Sequence, residues 1–178
     1  MNVDAGISKP SFGSRLSITL GSLAMLVGAI DPMEGSVIIL PGSALVALGY
    51  WLGHRERRLT LYRAWGFILI AFGVAALFGL SQLGGIGGHS GYSIWWGILF
   101  LPYLIGWSMG VWGPGTPRWL PGLGSVVGLW YLVLASMVLK HGIARPAGSN
   151  LPAFIIGAFG VLTMAGCLWR LNRGVAKP

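Results

Sequence analysis

Few side chains in this sequence could bind a metal or transfer a proton: there are three histidines and four acids in 178 residues. His89 and His141 are weak candidates for a cofactor or metal site, because both fall on the same side of the predicted helices. No cysteine or carboxylate cluster accompanies them, and none of the histidines lies in the middle of an apolar segment, where haem ligation would place it. We therefore predict no bound cofactor and no metal.

The segment Asp31-Pro32-Met33-Glu34 holds the acids predicted to lie at the mouth of the bundle opposite the basic loops. Two carboxylates there could form a cation site. The same residues also have the pattern of a helix N-terminus, with Asp31 as the cap, Pro32 at the first helical position and Glu34 closing a capping box. We favour the structural interpretation, because capping and the helix dipole already explain acids at this position.

A glycine-rich loop at 82–93 superficially resembles a phosphate-binding loop. It lacks a preceding strand, a Walker lysine and an acidic residue at the dinucleotide-binding spacing, so nucleotide binding is not expected. Its role stays open, with folding into the mouth of the bundle or against a partner as the two alternatives.

The strongest functional indication is an absence of ionisable residues. No Asp, Glu, Lys, Arg or His falls inside the apolar cores drawn below. Proton relays and ion-coupled carriers need such groups at depth, and a serine nucleophile needs an adjacent base. The sequence therefore predicts a protein that is neither an enzyme nor a coupled transporter.

The elements that would position these residues are apolar helices. With 54% hydrophobic and 9% charged residues, the chain cannot cover a water-exposed surface with polar groups, so we expect lipid to be its main solvent. We therefore predict that the whole chain, 1–178, forms one transmembrane domain without a soluble part. The predicted fold class is all-α, a polytopic bundle of six transmembrane helices with short loops, at 16–30, 35–53, 64–81, 95–113, 123–139 and 151–169.

The basic residues give this bundle a predicted orientation. Ten of the twelve Lys and Arg fall on the side that carries both termini, so both termini should be cytoplasmic, in a bacterial inner membrane. This bias also explains the charge of +8 without nucleic acid as a partner. Contacts with anionic lipid headgroups are predicted for Arg55, Arg57, Arg58, Arg63, Arg118, Arg170 and Arg173.

Prolines and glycines indicate the shape of the helices. Pro41 and Pro102 lie inside predicted spans, where each should remove a hydrogen bond and kink its helix. The 30 glycines match GxxxG patterns about as often as chance allows, so they do not predict oligomerisation. They do predict helices that approach one another closely.

Two functions fit these observations. The first is a structural or accessory subunit that packs against other membrane-protein subunits in a larger assembly, such as a respiratory or photosynthetic complex. The alternative is a small uncoupled channel or carrier for a neutral or apolar solute, although weak polar lining argues against a wide aqueous pore. An interfacial enzyme using His89, His141, Asp31 or Glu34 ranks third.

Overall fold

The computed structural model describes residues 11–31, 34–53, 56–84, 94–141 and 151–175. All regular secondary structure in these ranges is helical, which confirms the all-α prediction. A 3₁₀ helix at Ile94–Phe100 leads directly into α4. The α-helices are α1 Phe12–Gly28, α2 Ser36–Gly53, α3 Arg57–Gln82, α4 Leu101–Trp112, α5 Leu120–His141 and α6 Leu151–Val175.

Four of these helices, α2, α3, α5 and α6, are long and apolar enough to cross a membrane. The other two predicted spans are shorter. α1 has 17 residues, about 25 Å of helix against a hydrocarbon layer of about 30 Å. The fourth predicted span is divided between the 3₁₀ helix and the 12 residues of α4. The described helices therefore support a protein with several membrane spans, and the six-span bundle stays a prediction.

Three helical hairpins make up the bundle, because α1 packs mainly against α2, α3 against α4 and α5 against α6. Each hairpin crosses at two glycines, where a Cβ on either residue would lie against the carbonyl oxygen of the other. Such contacts bring two backbones together, as expected for membrane helices that associate without a hydrophobic driving force. The reciprocal pairs are Gly21 with Gly42, Gly66 with Gly106, and Gly128 with Gly160.

The two prolines predicted to kink helices have different positions. Pro41 lies inside α2, as predicted. Pro102 is the second residue of α4 and follows the 3₁₀ helix, so it does not interrupt an α-helix. A proline in the first turn lacks an N–H that would have no intrahelical partner anyway. At Pro102 the chain therefore changes from a 3₁₀ helix to an α-helix, and the predicted kink within an α-helix is not present.

The turn between α1 and α2 differs in detail from the predicted capping box. The Glu34 N–H donates to Asp31 Oδ1 at 3.4 Å, and the Gly35 N–H donates to the Asp31 carbonyl at 2.7 Å. α2 begins only at Ser36, five residues after Asp31. Asp31 therefore stabilises a turn that precedes the helix and is not the residue directly before its first turn. Pro32 lies outside the described residues.

The tip of the first hairpin meets α5 near its midpoint. The Ala29 carbonyl accepts from the Tyr131 hydroxyl at 2.9 Å, and the Ile30 carbonyl accepts from Trp130 Nε1 at 3.0 Å. Nearby, the indole of Trp107 donates to the Met25 carbonyl at 3.1 Å. These three aromatic donors bind carbonyls at and just beyond the end of α1, which lack intrahelical donors. The acidic turn follows this tip and thus lies level with the middle of α5.

We expect the tip of this hairpin to lie nearer the bilayer centre than the end of α5, which would bring the carboxylates of Asp31 and Glu34 to a depth where the sequence predicts no ionisable group. On a Cys167→Ala background, a fluorophore at Ile30→Cys should be quenched most by lipids brominated near the ends of their acyl chains. The comparison residue is Met137, which lies two helical turns after Trp130 on α5. Both Ile30 and Met137 are exposed. A label at Met137→Cys should be quenched best by lipids brominated near the headgroup. Equal depth at the two positions would mean that the first hairpin crosses the whole bilayer.

Candidate functional site

The most distinctive polar feature of the described structure is Arg63, whose side chain is only 4% exposed. It is the only charged side chain that is buried within the described ranges. Arg63 lies in the second turn of α3, on the helical face that also buries Gly66, Ile70 and Gly73. Residues separated by three, seven and ten positions share one side of a helix, so this face directs the guanidinium into the bundle.

The guanidinium binds the C-terminal end of α4. Its Nη1 donates to the carbonyls of Met109 at 2.9 Å and Gly110 at 3.0 Å, and its Nη2 donates to the Pro114 carbonyl at 2.6 Å. The Gly110 carbonyl would normally accept from the residue four positions later. That residue is Pro114, which has no N–H, so Arg63 supplies a donor that the backbone lacks.

Two tyrosines surround the same guanidinium. Arg63 Cζ lies 4.9 Å from the centre of the Tyr50 ring and 5.6 Å from that of Tyr62. The Tyr50 hydroxyl donates to the carbonyl of Gly115, a residue with φ of +78° that a side chain would strain. The positive charge therefore meets the negative end of the α4 dipole and two aromatic faces. Together, Arg63 and Tyr50 join α2, α3 and the loop after α4.

A cavity of about 10 Å³ adjoins this cluster and is lined by residues that include Ser43, Met109 and Arg63. The Arg63 Nε is buried without a hydrogen-bond partner among the described residues. A space of this size holds one water molecule and no organic substrate. The cluster can therefore fix three helix ends, but it has no room for a reactant.

This position of Arg63 differs from the sequence-based prediction, which placed the residue among headgroup contacts. A guanidinium that is 4% exposed and bound to three carbonyls cannot also reach the lipid surface. The other predicted headgroup residues lie elsewhere: Arg57, Arg58 and Arg118 are exposed and Arg170 is half-buried. The side chains of Arg55, Arg173, His89 and His141 fall outside the described residues.

The described helices do not bring predicted site residues together as a catalytic or metal centre. Within the described ranges, no group of three or more His, Cys, Asp or Glu side chains could hold a metal ion. Asp31 and Glu34 share a turn, and both residues are exposed. The site at Arg63 was missed because the third span was predicted to start at residue 64. The pair Pro114 and Pro117 was the available signal, since prolines after a helix leave its last carbonyls without donors.

Comparisons with protein-family models, with curated proteins and with solved structures found no match.

Proposed function

We propose that this protein is a non-enzymatic multi-pass membrane protein that serves as a structural or accessory subunit of a larger integral-membrane assembly. The observation that carries the proposal is that the guanidinium of Arg63 binds backbone carbonyls. Within the described residues it is the one buried charge, and its hydrogen bonds go to backbone carbonyls rather than toward a substrate. A buried ion in a transport or catalytic site would instead face a cavity large enough for a ligand.

The outer face of α6 supports a role in assembly. Only 17% of the apolar part of α6 is buried, compared with 39% for α2, so this helix lies at the edge of the bundle. Phe154 and Leu162, both more than 60% exposed, project from it. A wide apolar surface of this kind meets either lipid or another subunit. The described glycine pairs are used within the chain, so a partner would pack against these larger side chains.

We further propose that the basic end of the bundle faces the cytoplasm of a bacterium. We define this basic end by Arg15, Arg57, Arg58, Arg118 and Arg170. The contacts of Ser14 with Gly49 and of Arg63 with Pro114 bring the starts of α1 and α3 together with the ends of α2 and α4. Gly166 near the end of α6 faces Trp112 at the end of α4, and α5 begins just after α4, so α5 begins and α6 ends at the same side. The positive-inside rule favours this orientation, with both termini inside.

The experiment for the proposed role is site-directed crosslinking in native membranes. Leu162→Cys on α6 and Phe78→Cys on α3, both exposed and apolar in the parent chain, are compared on a Cys167→Ala background. We expect a thiol crosslinker at residue 162 to give one adduct of constant mass in high yield, and none at residue 78. Native mass spectrometry of the purified particle should show the same partner in a fixed ratio.

A lone monomer or homodimer with no position-dependent adduct would contradict the accessory role. One observation would then favour the alternative of an uncoupled channel or carrier. The first hairpin ends level with the middle of α5, whereas α5 continues for about ten more residues. Rapid passage of a neutral solute through proteoliposomes, absent from empty vesicles, would support that alternative.

A further inference from the structure

An apolar groove runs between α1 and α5 on the outside of the bundle and has a volume of about 360 Å³. Its lining includes Leu23, Leu26 and Ile30 from α1 and Leu123, Val126 and Trp130 from α5. The indole N–H of Trp130 already donates to the Ile30 carbonyl, so this bond closes the groove at the end near the hairpin tip. A ligand in the groove would therefore make apolar contacts and would not need to form a hydrogen bond with the lining.

The groove opens toward the basic end of the bundle. Arg15 lies eleven residues before Leu26, which is three helical turns and only about 20° around α1. Arg118 stands two residues before the start of α5, and the hydrogen bond from the Leu123 N–H to the Trp119 carbonyl extends the helical pattern back to Trp119. Arg15 and Arg118 are both exposed. The exposed Arg15 and Arg118 therefore belong to the end of the bundle toward which the groove leads from Trp130.

We propose that this groove binds an anionic phospholipid, with one acyl chain between α1 and α5 and the headgroup phosphate between Arg15 and Arg118. The dimensions fit one leaflet. From Arg15 to Ile30 is fifteen residues, about 22 Å along α1, and half of a bilayer with its headgroups is about 20 to 22 Å. The apolar lining matches the chain, and the charges at the open end match a phosphate.

This site differs from general attraction of headgroups to a basic surface, because the apolar groove would also bind an acyl chain. It also goes beyond the proposed accessory role and does not depend on it. A lipid held in this way would fill the gap between the first and third hairpins, where few residues of α1 and α5 touch directly. It would act as a packing element of the folded protein.

The test is native mass spectrometry of the full chain released from nanodiscs that contain phosphatidylglycerol and phosphatidylcholine in equal amounts. We expect the parent protein to retain one phosphatidylglycerol. Arg15→Gln or Arg118→Gln should weaken retention by about fivefold and the double variant by about 25-fold, while Arg58→Gln on α3 should have little effect. Val126→Trp should abolish retention by filling the groove.

Leu129→Trp, which adds the same side chain to an exposed position of α5 outside the lining, should leave retention unchanged. Circular dichroism and elution volume confirm that each variant folds. Three results would each overturn the proposal. They are an equal loss of retention in Arg58→Gln and Arg118→Gln, equal effects of the two tryptophan variants, and a thiol crosslink from a Val126→Cys variant on the Cys167→Ala background to another protein chain. The crosslinking result for α6 is independent of all three outcomes.

Discussion

Replacing Arg63 with alanine is expected to lower the free energy of unfolding by about 3 kcal/mol, because three backbone carbonyls each lose a hydrogen bond from the guanidinium at about 1 kcal/mol. These carbonyls belong to Met109, Gly110 and Pro114. Removal of a buried charge recovers some desolvation energy, but the Gly110 carbonyl has no alternative N–H in the helix. In thermal denaturation in detergent, the midpoint should fall by about 6 to 12 °C.

Two variants separate loss of these bonds from loss of charge. Arg58→Ala removes the same charge from an exposed position of α3 and should shift the midpoint by less than about 2 °C. Arg63→Lys keeps the charge but replaces a planar fork with a point donor, so it should recover only part of the lost stability. If Arg63→Ala and Arg58→Ala behave alike, the carbonyl cluster does not hold α4 in place.

The position of Arg63 shows what a hydropathy pattern can and cannot locate. Charged residues mark where an apolar segment ends, so the third span was predicted to begin immediately after Arg63. α3 in fact begins at Arg57, and its first two turns are already helical. An arginine at a helix end can reach either headgroups or the bundle interior. The choice depends on which neighbouring carbonyls lack donors, a tertiary property set here by Pro114 on another helix.

The first hairpin illustrates a second limit. Its two apolar helices were predicted from composition, and the described helices cover most of both segments. Their depth relative to α5 was not predictable, because it depends on which residues meet across the bundle. Trp107 and Trp130 lay in the middle of predicted spans, where a tryptophan needs a hydrogen-bond partner. Their partners are the carbonyls of Met25 and Ile30, which places the hairpin tip halfway along α5.

The glycine pairs were anticipated only as a general tendency. Composition predicted close helix packing, but the GxxxG spacing did not identify which glycines are in contact. In the second hairpin the partners are Gly66 and Gly106, forty residues apart in sequence. The prolines of the even-numbered helices do not mark these crossings, since Pro41 precedes Gly42 directly whereas Pro102 precedes Gly106 by four residues.

Gly106→Ala is expected to destabilise the protein by about 2 kcal/mol, as overpacking of a tight contact commonly does. The added Cβ would lie 2.6 Å from the Gly66 carbonyl oxygen and 3.0 Å from the Ile70 nitrogen, so α3 and α4 would have to separate. Both atoms belong to the backbone and cannot rotate away. The thermal midpoint in detergent should fall by about 4 to 8 °C.

The same hairpin supplies two control glycines at which an added Cβ does not clash. At Gly79, on the exposed side of α3, an added Cβ meets nothing within 4 Å, so Gly79→Ala should stabilise the helix by about 0.5 to 1 kcal/mol. At Gly66 the nearest atom would be 3.6 Å away, an ordinary contact, so Gly66→Ala should gain the same helix propensity and also stabilise the protein slightly. The tight crossing therefore predicts that Gly79→Ala and Gly66→Ala are more stable than the parent protein and that Gly106→Ala is less stable. A uniform response at the three glycines would mean that α3 and α4 do not touch at Gly106.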